Sequence, residues 1–339
     1  MNDAAKNLRL LAGNANPELA QEISKYLDIP LVDAQVGHFN NGEIQVMIGE
    51  SVRGKDIFII QPTCQPVNEN LMELLIMTDA CKRASARSVT AVVPYYAYAR
   101  QDRKTRGREP ISAKLVANLM SAAGLNRVVT VDLHAGQIQG FFDIPVDHLA
   151  AAPALADYFR KLDLEDMIVV SPDLGGVTRA RNMADLLGTG IAIVEKRRPR
   201  PGCAEVMNLI GDVKDKTCIM IDDMVDTAGS LCEGAKALKK LGAKEVYACC
   251  SHGILTDPAV QRIQDSCIKQ LVITNTIPLD PAKKHEKIVS ISLAPMLAEF
   301  IRCIYENEPV SNLFDKQTKP QENMQIKAKG RCISPFFFF

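Results

Sequence analysis

Residues 217–230, TCIMIDDMVDTAGS, leave this chain few folds to choose from. Cys218, Ile219, Met220 and Ile221 form an uninterrupted apolar run, as expected for a strand buried on both faces of a parallel sheet. The run is expected to stop at two adjacent carboxylates, Asp222 and Asp223. A small-residue turn follows, Asp226-Thr227-Ala228-Gly229-Ser230, and Leu231, Ala235, Leu238 and Leu241 then recur at helical spacing. Strand, acidic tip, turn and helix make half of a βαβ unit, and in such sheets ligands bind outside the carboxyl ends of the strands. N–H groups at a helix start lack intrahelical partners and carry the positive end of the dipole, so a phosphate suits this turn. Paired carboxylates beside it accept hydrogen bonds from sugar hydroxyls or hold a metal through water. The alternative is a surface turn with acidic helix-capping residues.

The rest of the chain repeats the plan. Strands are expected at residues 8–12, 56–61, 89–93 and 127–131, and again at 167–170, 191–194 and 245–250, with short ones near Leu271 and Ile288. Helices are expected after Asn16-Pro17, over 111–123, over 152–162 and over 294–305. Asn40-Asn41-Gly42 reads as a tight turn before the alternating strand 44–48. After the strand at 89–93 come three tyrosines and then five basic residues in the nine positions 100–108. That mixture suits an anionic ligand with a flat ring, or else a solvated basic loop. The strand at 127–131 runs into Asp132-Leu133-His134, and the strand at 167–170 into Ser171-Pro172-Asp173-Leu174-Gly175-Gly176. His134 by itself reads more readily as a structural histidine bonded to its neighbour than as a ligand, since one ligand does not make a metal site. Residues 195–202, EKRRPRPG, hold four cations, two prolines and a glycine. They are expected to form a mobile cationic loop, or else a solvated connector.

At 339 residues, the length suggests about two domains. The expected architecture is α/β: two similar domains, residues 1–150 and 151–314, each a mainly parallel sheet flanked by helices. Residues 315–339 carry no pattern and are expected to be an unstructured tail. Forty basic and forty acidic residues cancel, which argues against a dedicated nucleic-acid or membrane-surface protein. No apolar run reaches the roughly 18 residues of a membrane span, and the N-terminus is too polar for a signal peptide. Ten cysteines without a CxxC pair read as reduced thiols of a cytoplasmic protein.

Taken together, a phosphate cradle, sugar-facing carboxylates, strand ends at His134 and Asp173 that could share a cation, a mobile pair of cations and a Tyr/Arg-rich segment suggest nucleotide-dependent transfer onto a sugar phosphate. Such transfer needs alignment, charge neutralisation and a dry site. There is no GxxxxGK[ST] motif and no GxGxxG after the first strand, which argues against a P-loop kinase and a dinucleotide oxidoreductase.

IDDMVDTAGS resembles the phosphoribosyl-binding loop shared by phosphoribosyltransferases and ribose-phosphate diphosphokinases. FNNGEIQV at 39–46, YARQDRK at 98–104, PISAKLVANL at 110–119, VDLHAGQIQGFFDIPVDHL at 131–149, SPDLGG and EKRRPRPG select the second family, PRPP synthases of class I. The resemblance covers about residues 9–314 and implies two phosphoribosyltransferase-like domains. It implies transfer of the diphosphoryl group of ATP to the anomeric hydroxyl of ribose 5-phosphate, giving PRPP and AMP with Mg2+, for nucleotide, histidine and tryptophan biosynthesis. Carried over by position, Lys196 and Arg198 are catalytic, and Arg198 also faces ribose 5-phosphate. Asp222 and Asp223 face the ribose, and Asp226, Thr227, Ala228, Gly229 and Ser230 hold the 5-phosphate. His134 and Asp173 belong to the metal environment. Phe39, Asn41, Gly42, Glu43, Arg100 and Gln101 form the ATP pocket, completed by a neighbouring subunit. The resemblance also implies a homo-oligomer, usually a hexamer, with phosphate activation, ADP inhibition, and a last helix that packs back on the first domain. Ser230 and Asn41 stand where the family often has Thr and Asp. Two other functions remain open from sequence: a phosphoribosyltransferase, which would not need the segments at 39–43 and 98–104, and a non-catalytic homologue, which would have lost site residues that are present here.

Overall fold

The computed structural model describes residues 7–197 and 206–310, with backbone alone at 195–197 and 206–207. Five parallel strands build the first sheet: β1 (Leu8–Ala12), β4 (Asp56–Ile60), β5 (Ser88–Val93), β6 (Arg127–Val131) and β7 (Val146–Leu149), side by side in that order. Every residue of β4 is buried: Ile57, Phe58, Ile59 and Ile60 are apolar and lie between two strands, and the leading Asp56 is bonded to Arg87 and Ser88. Between β1 and β4 the chain makes an antiparallel hairpin of β2 (Ala34–His38) and β3 (Ile44–Ile48), with His38 opposite Ile44. Gly42 sits at φ +88° in its turn, a conformation that favours glycine.

Helix α1 (Pro17–Leu27) starts at Asn16, whose side chain accepts from the Leu19 N–H, as the Asn-Pro pair leads one to expect. Helices α2 (Val67–Arg83) and α3 (Ser112–Ala123) complete the first unit, the latter ending at Gly124 with φ +103°. After α4 (Ala152–Lys161), the second unit contains β8 (Met167–Ser171), α5 (Val177–Leu187), β9 (Gly190–Arg197), β10 (Val206–Ile210), β11 (Thr217–Val225), α6 (Gly229–Lys240), β12 (Glu245–Gly253), α7 (Ala259–Asp265), β13 (Leu271–Thr274), β14 (Ile288–Ile291) and α8 (Ala294–Glu306). Its sheet runs β10-β9-β8-β11-β12-β13-β14, parallel except at the β10–β9 edge.

One hydrophobic core joins the two sheets. Leu10, Leu19 and Ile23 share it with Leu155, Phe159, Val169, Leu297 and Ile301. Helix α8 packs on α1, and the Glu22 carboxylate accepts from Asn275 at 3.2 Å and from Ser292. Covering both sheets with shared helices holds their carboxyl ends at a common cleft.

Three local expectations need correction. The strand at 217–221 does not stop at Asp222. It continues to Val225 because β12 offers hydrogen-bonding partners as far as Gly253. Strand β9 likewise runs through Glu195, Lys196 and Arg197, where a loop was expected. The pairing partner is β10, with Lys196 opposite Met207 and Arg197 opposite Val206. Leu241 lies just past the end of α6 and is 48% exposed, so the buried face is Leu231, Ala235 and Leu238. Arg198, the remainder of the expected loop and the tail at 315–339 lie outside the described residues.

Candidate active site

Strand β11 pairs with β8 only from Thr217 to Met220, but with β12 as far as Val225. Its acidic end therefore projects beyond β8, into space bounded by the β8–α5 turn. There Ser171 Oγ donates to the Asp173 carbonyl at 2.7 Å, and the Gly176 N–H donates to Asp173 Oδ1 at 2.9 Å. A Cβ on Gly176 would stand 2.9 Å from Ser171 Oγ and would crowd that hydroxyl. The turn starts α5 so that Arg179 reaches back, with Nη1 at 3.4 Å from Asp222 Oδ1 and 3.7 Å from Asp223 Oδ1.

The first sheet supplies the opposite wall. At the end of β6, Asp132 Oδ2 accepts from the Ala151 N–H at 2.9 Å and from the Ser251 hydroxyl. His252, buried on β12, lies with Nε2 at 3.1 Å from the Val131 carbonyl and Nδ1 at 2.9 Å from Thr276 Oγ1. These bonds fix the next residues, and His134 brings Nδ1 to 2.7 Å from Asp223 Oδ2. Two strand ends far apart in sequence thus meet at one carboxylate.

The paired aspartates are driven apart electrostatically. Burial raises the pKa of Asp222, and the hydrogen bond and charge of Asp223 raise it further. Burial also opposes ionisation of Asp223, but the His134 bond and the Arg179 charge outweigh it and hold that carboxyl well below its usual range. The Asp223 bond in turn raises the pKa of His134 against the effect of burial. Asp223 is therefore the fixed anion of the pair and Asp222 the proton-responsive one.

Just past the end of β11, Asp226 is 2.9 Å from Arg100 Nη1. Arg100 follows β5 in a turn where the Gln101 N–H donates to the Tyr98 carbonyl at 2.9 Å and Tyr96 is buried with its hydroxyl on the Ala113 carbonyl at 2.8 Å. Arg100 and Gln101 line a cavity of about 600 Å³ with Tyr95, Tyr98, Asn68 and Met224. Arg100, Asp226 and Thr227 also line a larger cleft of about 1440 Å³ between the two sheets. Phe39, Asn41, Gly42 and Glu43 line neither of these spaces. They stand at the hairpin tip, with Phe39 49% exposed.

Helix α6 begins after Ala228, which has φ 57° and no side-chain cap. Its first N–H groups thus have no side-chain cap and are of the kind that can receive an anion. His134 and Asp173 do not form a compact metal cage. Asp173 is exposed with one oxygen engaged by its own turn, and the described residues contain no group of three or more His, Cys, Asp or Glu able to hold a metal. Lys196 is placed by its backbone on β9. Arg179 escaped the sequence reading; the available signal was a cation in the first turn of the helix after the SPDLGG turn.

The chain matches the N-terminal domain of ribose phosphate pyrophosphokinase over residues 8–124 and the phosphoribosyl synthetase-associated domain over residues 196–315. It is 59% identical to the ribose-phosphate pyrophosphokinase of Clostridium perfringens over 317 residues, covering 93% of this chain and 99% of that one. It is likewise 59% identical to the Bacillus caldolyticus enzyme of that name over 315 residues, covering 93% of this chain and all of the relative. The crystal structure of phosphoribosylpyrophosphate synthetase from Mycobacterium smegmatis superposes with a TM-score of 0.84 at 47% identity, covering 89% of this chain and 99% of that one. The two parallel sheets, the acidic strand end and the uncapped helix start belong to a chain of the ribose-phosphate pyrophosphokinase family.

Proposed function

We propose that the family's reaction, transfer of the diphosphoryl group of ATP to the anomeric hydroxyl of ribose 5-phosphate to give PRPP and AMP, runs at the carboxyl end of β11. The observation that carries this reading is the 2.9 Å contact between Arg100, from the nucleotide side, and Asp226, from the sugar-phosphate loop. Donor and acceptor segments, remote in sequence, meet at one place.

In this reading the 5-phosphate sits on the N–H groups of residues 226–230 at the start of α6. The ribose hydroxyls donate to Asp222 and Asp223, which Arg179 and His134 orient. ATP occupies the space lined by Arg100 and Gln101. The anomeric hydroxyl then attacks the β-phosphorus in line, the bond from the β-phosphorus to the bridging oxygen breaks so that this oxygen leaves with AMP, and the hydroxyl proton passes to solvent. Lys196 and Arg198 neutralise charge that grows on the transferring oxygens, a role expressed mainly in the transition state.

His134 and Asp173 are the residues that would hold Mg2+. The short bond from His134 Nδ1 to Asp223 fits, because a carboxylate on one ring nitrogen fixes the tautomer and leaves the other nitrogen for a ligand. Sparse protein donors also suit a cation that keeps several waters and binds through substrate phosphates. When bound, Mg2+ supplies charge neutralisation to the phosphates.

The same reading includes the division at residue 150 into a nucleotide side and a sugar-phosphate side, and a cytoplasmic location. It also includes a homo-oligomer, a hexamer, with phosphate activation and ADP inhibition. The placement of Phe39, Asn41, Gly42 and Glu43 at the hairpin tip, away from the two cavities that Arg100 lines, supports their service to a neighbouring subunit. The test is product formation by the purified chain given ATP, ribose 5-phosphate and Mg2+. AMP and PRPP should form in equal amounts, and replacing both Asp222 and Asp223 with alanine should abolish them. Turnover by that double variant would refute the site.

A further inference from the structure

We infer that Arg262, on the short helix α7, is a positioning residue for the sugar-phosphate loop. Its guanidinium holds the Thr227 peptide so that the Ala228 N–H points into the phosphate cradle. Arg262 Nη1 donates to the Thr227 carbonyl at 2.9 Å across 35 residues of sequence. The same nitrogen lies 3.4 Å from where a Cβ on Gly229 would stand, so the guanidinium backs the loop across residues 227–229.

The carbonyl and N–H of a trans peptide unit point in opposite directions. Fixing the Thr227 carbonyl toward α7 therefore turns the next N–H, that of Ala228, away from α7. Ala228 itself is left-handed at φ 57°, a conformation that alanine adopts only under constraint from its surroundings. Arg262 supplies such a constraint from outside the loop.

The position of Arg262 is itself well defined. Helix α7 is anchored by buried Ala259 and Ile263. The segment leading into it is tied to the end of β11 by the Leu255 N–H on the Val225 carbonyl at 3.0 Å. From α6, Cys232 Sγ donates to the Arg262 carbonyl at 3.5 Å. Loop, α6 and α7 form one bonded unit, and Arg262 is its side-chain link to the cradle.

This inference rests on the reading that residues 226–230 hold the 5-phosphate. Its test is the steady-state kinetics of Arg262→Ala, Arg262→Lys and Ser230→Ala in the full chain, with thermal melting of each. Losing a charge-assisted bond that orients the loop should raise KM for ribose 5-phosphate about tenfold or more, with KM for ATP and the melting temperature little changed. Arg262→Lys, which keeps a cationic donor, should recover most of the loss. The inference is overturned if Arg262→Ala leaves KM for ribose 5-phosphate unchanged while Ser230→Ala raises it. It is also overturned if melting temperature and both KM values deteriorate together. If neither Arg262→Ala nor Ser230→Ala moves KM for ribose 5-phosphate, the loop assignment itself falls.

Discussion

Arg179→Met removes a guanidinium that faces both Asp222 and Asp223 while keeping an apolar stem of similar girth. The nitrogen lies 3.4 Å from one carboxylate and 3.7 Å from the other. Unit charges at such separations attract by about 4 kcal/mol at an effective dielectric of about 20. The Arg179 and Asp222 side chains are 21% and 32% exposed, so solvent screening reduces the usable part to about 2 kcal/mol. Arg179 favours the ionised form of each aspartate, and ionised carboxylates are the stronger acceptors for ribose hydroxyls. Its loss should fall on the sugar substrate: about 2 kcal/mol is about 30-fold in kcat/KM for ribose 5-phosphate, with KM for ATP changed by about twofold at most. The assay is the initial rate of AMP release with each substrate varied in turn, on protein whose circular dichroism matches the parent. A variant within about threefold of the parent for ribose 5-phosphate would refute the electrostatic role, since this lies far inside the expected loss.

Further outcomes follow from other parts of the molecule. If the proposed role of Lys196 holds and its charge acts mainly in the transition state, Lys196→Ala should lower kcat by about a hundred- to a thousandfold with little change in ribose 5-phosphate binding; equilibrium binding and single-turnover rates check this. Burial lowers the pKa of His252 below the ordinary histidine value, so its stabilising contribution is complete above about pH 6.5 and is lost as pH falls, by up to about 1.4 kcal/mol per pH unit. Denaturant melts at pH 7.5 and pH 5.5, compared with those of His252→Gln, should show the smaller pH dependence in the variant. Ending the chain after Phe314 should leave activity and assembly intact, since the family match stops at residue 315; kinetics and sedimentation of the shortened chain test this.

Much of the fold is local enough to read from sequence. Asn16-Pro17 starts α1, Asn40-Asn41-Gly42 turns a hairpin, Gly124 ends α3, and the small residues at 226–230 open α6. The misreadings occur where hydrogen bonding and hydropathy disagree. Asp222 and Lys196 are polar, yet both lie in strands because β12 and β10 provide partners. The short elements β7 and α7, four and seven residues long, carry too few positions for periodicity to register.

His134, Asp223, Arg100 and Asp226 stand out individually in the sequence as candidate site residues, but their pairing does not. His134 and Asp223 are 89 residues apart and Arg100 and Asp226 are 126 apart, so only the packing of two sheets on shared helices brings them together. Arg262 has no signal in the sequence, and Arg179 has only its place in the first turn of α5. Their significance comes from what each guanidinium touches: a carboxylate pair in one case and a loop carbonyl in the other.

The most direct test of the central claim is to supply the purified chain with ATP, ribose 5-phosphate and Mg2+, without a nucleobase, and to follow the nucleotide and sugar products by phosphorus NMR. The site described here predicts one AMP for every PRPP formed, with both absent when ribose 5-phosphate is omitted. Accumulation of ADP in place of AMP, or no product until a nucleobase is added, would contradict it.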